Sequence, residues 1–169
     1  MEVKIPFYNL VNMFFTGLVF MGGCAVIYPN YVVSILTSGV ISSIGAEPEI
    51  VITVCAFAVA YEVGLIINRI GSVLVEPALK KIKAIPFNDD YVKFNEKKKE
   101  YPILNTLSRE FAVSRTGIAL FVILMILALC DMNKAFSGIF AVTVLIYFLS
   151  CRKHAKKIVE LMSVKIDAE

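Results

Sequence analysis

The stretch from Glu49 to Glu76, EIVITVCAFAVAYEVGLIINRIGSVLVE, leaves this chain few ways to fold. From Ile50 to Tyr61 it is uncharged and almost wholly apolar, which suits a helix entering lipid. Glu62, Arg69 and Glu76 then follow at intervals of seven. Seven residues are close to two helical turns, so the three project from nearly one side of a helix. Leu65 and Ser72 fall between them, and Gly64 and Gly71 repeat at seven on a stripe read as adjoining. An ionisable side chain in a membrane helix faces protein or water, not hydrocarbon. The stripe therefore predicts a packed or hydrated face. A hydrocarbon core of ~30 Å takes about 20 residues at 1.5 Å each. That places Arg69 at the boundary, where it can snorkel, with Glu62 deeper and Glu76 beyond the lipid.

The rest of the chain repeats the signal. Of 169 residues, 58% are hydrophobic and 18% charged, and mean hydropathy is +0.76. There is room for one domain. Long apolar runs predict spans over about residues 7–28, 50–72, 113–130 and 135–151. Residues 31–45 are uncharged but too short and too rich in serine to span, and read as a short helix or re-entrant piece on the outer face. Residues 77–112 are the soluble stretch between spans 2 and 3. Asp89 and Asp90 are placed to cap a helix, and Phe87, Tyr91, Phe94 and Tyr101 need a surface to rest on. The expected fold is an all-α membrane protein: a four-span transmembrane helical bundle with a cytosolic helical elbow between spans 2 and 3. The first span reads as a retained signal anchor. Met21-Gly22-Gly23-Cys24 offers lipoprotein cleavage as the alternative.

Lysine and arginine set the orientation. Fifteen of the seventeen fall in segments that this topology places inside; the others are Arg69 and Lys134. Both termini and the elbow are thus expected in the cytosol of a cell with the protein in its inner membrane. A net charge of +3 is too small to argue for nucleic-acid binding.

Two groups of residues carry the site reading. Glu62, Arg69 and Glu76 either hold helices together by buried pairing or line a polar conduit. Arg109, Glu110 and Arg115 lie at the mouth of the third span. Arg69, Arg109 and Arg115 can converge at the cytosolic rim as a site for a phosphate, on a lipid head group or a nucleotide, or stand as ordinary boundary residues. Cys151 and His154 are three apart, but nothing supplies the third group of a catalytic pair. Lys97-Lys98-Lys99 reads as a solvated run. No GxGxxG, P-loop, HExxH or GxSxG occurs, and there is one histidine, so neither catalysis, a metal nor a cofactor is expected. The four cysteines are far apart and read as free thiols.

At IPFYNLVNMFFTG, YEVGLIINRIGSVLVEP and LSREFAVSRTG the chain resembles small uncharacterised inner-membrane proteins of bacteria. Some of these sit near phage-defence or mobile-element genes. The resemblance implies a membrane effector or anchor in bacterial defence. The reading is an oligomeric membrane subunit whose partners are lipids, further copies of itself and a soluble cytosolic protein. The alternative is a channel or pore.

Overall fold

The structure is a computed structural model and describes residues 7–36, 48–86 and 90–163. Expectations for the N-terminal start, for most of the outer-face segment, for Phe87 and Asp89 and for the tail beyond Ser163 lie outside these. Every regular element among the described residues is helical. The order is α1 (Phe7–Ile27), α2 (Pro29–Leu36), α3 (Pro48–Ile70), a π-helical turn (Gly71–Val75), α4 (Glu76–Lys81), α5 (Tyr91–Glu100), α6 (Ile103–Cys130) and α7 (Lys134–Ser163). Four helical rods are long and apolar enough to cross a membrane: α1, α3 continued into α4, α6 and α7. Three of them run on well past the apolar stretch. α6 starts in the polar stretch at Ile103, α3 continues through α4, and α7 carries the basic run and reaches Ser163.

The rods pack as two close pairs, α1 with α3 and α6 with α7, and α6 joins them. Small residues explain the first pair. A Cβ on Gly17 would stand 1.7 Å from the Ala60 carbonyl oxygen, and one on Gly64 1.7 Å from that of Met13. Backbones this close leave no room for a side chain, which is how membrane helices associate without a hydrophobic driving force. The Glu49–Glu76 stretch does not sit at the centre. α6 does: 44% of its apolar stretch is buried, against 17% in each of the other three. Ser114, Thr116, Gly117 and Ala119 give α6 a small-residue waist that neighbours approach from several sides.

Two apolar clusters fill the interior. Ile27, Ile67, Leu120, Leu124 and Phe140 form one. Leu79, Ile85, Phe111, Ile118 and Cys151 form the other, so the loop after α4 is pinned by Ile85. The turns are locally determined. Lys83 ends α4 and Met132 ends α6 in the left-handed region, at φ 54° and 58°. Ala84 N–H donates to Leu79 O and Asn133 N–H to Ala128 O, the six-to-one bonds that close a helix C-terminus. The Asn133 side chain then accepts from Phe136 N–H and opens α7, as Asp90 accepts from Lys93 N–H and opens α5.

Candidate functional site at the basic end of the helices

The π turn decides what the ionisable residues face. Pro77 has no N–H, and its ring crowds the carbonyl four residues back, at Val73. The helix slips one residue there: Glu76 N–H donates to Gly71 O, five back. One extra residue rotates everything beyond it by about 100°. Glu62, Arg69 and Glu76 therefore do not share a stripe. Glu62 and Arg69 are exposed on the outer side of α3, with no ion pair among the described residues. Ala60, Gly64, Ile67 and Gly71 make the buried side, opposite the charges rather than adjoining them. Residues two apart differ by about 200° on a helix, which puts Gly64 behind Glu62.

Glu76 turns inward. Its carboxylate pairs with the Arg115 guanidinium on α6 and with Lys80 Nζ at 2.9 Å. Both partners of the Glu76–Arg115 pair are largely buried, with side chains 13% and 19% exposed. Gly71 makes this approach possible, since a Cβ there would stand 3.2 Å from the Arg115 carbonyl oxygen. Next to Arg115, the Thr116 hydroxyl shares its proton between two acceptors, Ala112 O at 2.8 Å and Asn68 Oδ1 at 2.9 Å. On the far side of α6, Ser114 donates to Glu110 O at 2.8 Å, and Ser150 donates to Ser114 at 3.0 Å. Glu110 Oε2 stands 3.2 Å from His154 Nδ1, an ion pair when the imidazole is protonated. Polar contacts thus stitch α3, α6 and α7 together at one end.

Arg109 and Arg115 come together as anticipated, but Arg69 does not join them. The two arginines line a cleft of about 140 Å³ between α1, α3 and α6, with Tyr8, Asn9, Asn12 and Asn68. The Arg109 guanidinium lies 5.8 Å from the centre of the Tyr8 ring, and Arg115 Nε is buried without a hydrogen-bond partner among the described residues. A second cavity, of about 220 Å³, opens on the other side of Arg115. Glu76, Tyr91, Phe94, Phe111, Ile158 and Met162 line it, so α5 sets the half-buried Phe94 against it while Tyr91 stays largely exposed. A basic groove on the surface is edged by Lys80, Lys83, Arg152 and Lys156 around Ile85 and Pro86.

Some site residues were hidden from sequence reading. His154 finds Glu110 rather than Cys151, which is wholly buried. Lys97 is not solvated but 4% exposed, folded over the Tyr101 ring and onto Glu100 at 3.3 Å. The asparagines gave a weak signal: Asn9, Asn12 and Asn68 are polar residues in apolar helices, and they converge. No family model, curated protein or solved structure matches the chain.

Proposed function

We propose that this is an integral membrane subunit that associates with further copies of itself through the outer face of α3 and presents its basic end to the cytosol. One observation carries the reading. Glu62 lies in the apolar part of α3, yet among the described residues it is exposed on the side away from the other helices and has no ion-pair partner. A carboxyl at that depth is unfavourable against lipid and calls for a protein or aqueous neighbour. A second copy supplies one, at the same depth. The basic groove around Lys83 and Arg152 then offers a surface for anionic lipid or an acidic soluble partner. The lysine and arginine count supports a bacterial inner-membrane orientation with both termini inside. The resemblance supports an anchor or effector role in defence.

A pore is the second reading, and the same observation favours it: copies arranged with Glu62 toward a common axis would surround a hydrated path. Counting subunits per particle in lipid bilayers tests the first reading. Wild type is expected to be oligomeric. Glu62→Gln keeps a hydrogen-bonding group and retains the oligomer, while Glu62→Leu is expected to dissociate it. Polar contacts between membrane helices contribute ~0.6–2 kcal/mol, or about 3- to 30-fold in dissociation constant. A wild-type monomer would remove both readings. An oligomer that conducts ions in liposomes, and stops conducting in Glu62→Gln, would favour the pore.

A further inference from the structure

We propose that the cleft between α1, α3 and α6 binds a phosphate group, and that in the membrane this is the head group of an anionic phospholipid. The lining is rich in donors: the guanidinia of Arg109 and Arg115, the amides of Asn9, Asn12 and Asn68, and the Tyr8 phenol. No carboxylate lines it among the described residues. Asn68 turns its oxygen to the Thr116 hydroxyl, which leaves its amide N–H groups available. Arg109 has no ion-pair partner among the described residues, and the Tyr8 ring supports its planar fork. Arg115 gives Nη1 to Glu76 and keeps a buried, unsatisfied Nε. A buried donor without an acceptor needs one, and a phosphate oxygen is a strong one. Charge agrees: of the two arginines in the lining only Arg115 has a carboxylate partner among the described residues, Glu76, which leaves the charge of Arg109 in excess.

Size and surroundings choose the source of the phosphate. A volume of about 140 Å³ is far below the ~300–1,000 Å³ of sites that enclose drug-sized molecules, so the cleft admits a phosphoryl group but no nucleoside. Asn12 and Val113 are shared with an adjoining groove that runs along α1 and α6 past Phe15, Val19, Leu120 and Phe121. A polar cleft at the basic end that continues into an apolar groove matches a phosphate with an acyl chain attached. This does not rest on self-association through α3.

The test is titration of the full chain in detergent micelles with phosphatidylglycerol or phosphatidylcholine, read as bound lipid by native mass spectrometry. Wild type is expected to favour phosphatidylglycerol by about tenfold. Arg109→Gln should abolish the preference, and Arg109→Lys should restore part of it, since it keeps the charge and loses the fork. Val19→Trp, which fills the groove, should weaken both lipids alike. Lys99→Gln, on the exposed side of α5, should change nothing. An Arg109→Gln protein with undiminished preference would overturn the site. If that variant does not stay folded, Asn12→Leu answers the same question. Displacement by millimolar inorganic phosphate, together with an inert Val19→Trp, would overturn the lipid assignment in favour of a free phosphate.

Discussion

Glu62 and Glu76 are the same side chain on one continuous rod, and their surroundings give them different work. Glu76 is held between Arg115 and Lys80 with most of its surface covered. Removing one partner of a fully buried pair costs about 3–5 kcal/mol, and the residual exposure here lowers that to ~1–3 kcal/mol. Arg115→Ala should be the milder of the two single changes, because Lys80 remains to meet the carboxylate. Equilibrium unfolding in mixed micelles should show Glu76→Ala and Arg115→Ala coupled by about 1 kcal/mol or more, with the double variant less damaged than the sum. Glu62→Ala and Arg69→Ala should add without coupling under dilute, monomeric conditions, since within one chain they do not touch. Coupling between Glu62 and Arg69 but none between Glu76 and Arg115 would contradict the register of the π turn.

That register is where element-scale reading of the sequence succeeded and failed. The apolar runs located the long helices because hydrocarbon length demands them. The interval of seven correctly put Glu62 and Arg69 on one face. It does not hold at Glu76, because seven-residue spacing keeps a face only along an unbroken α-helix and Pro77 interrupts this one. Pro77 was the available signal: a residue without an N–H at the end of GSVLVE forces the ladder to change step. The packing face was also visible in Ala60, Gly64 and Gly71, but the eye goes to charges, and glycine marks the close approach. The cleft was half legible, as two arginines six apart, while its asparagines come from two other helices, α1 and α3, that only tertiary packing brings to α6. The α1–α3 contact gives the sharpest element-scale prediction. Gly64→Val places methyl groups where Met13 O already lies, so α1 must move away. Overpacking costs ~1–3 kcal/mol when only side chains must shift, and a backbone obstacle places this change at or above the top of that range. Thermal melting in micelles should show Gly64→Val far less stable than Gly138→Val, where a Cβ meets nothing within 4 Å. Equal melting would refute the close α1–α3 approach.

For the whole molecule, the proposed orientation and the proposed self-association make separate demands. Orientation is tested by cysteine labelling with an impermeant reagent in intact cells, in a background without Cys55 and Cys130, the two exposed thiols. Lys99, exposed on α5, reports one side, and Met132, 77% exposed in the α6–α7 turn, reports the other. Met132→Cys should label from outside and Lys99→Cys only after the membrane is opened. The reverse pattern would invert the topology. Self-association through α3 is the central claim, and oxidative cross-linking of the chain in its own membrane meets it most directly. Ile66 lies between Glu62 and Arg69 on the outer face of α3, 55% exposed, and Ile146 is 61% exposed on α7. In a background without the native cysteines, Ile66→Cys is expected to give a disulfide-linked dimer in high yield and Ile146→Cys little or none. No dimer at position 66, or equal dimer at both, would contradict an interface built on Glu62.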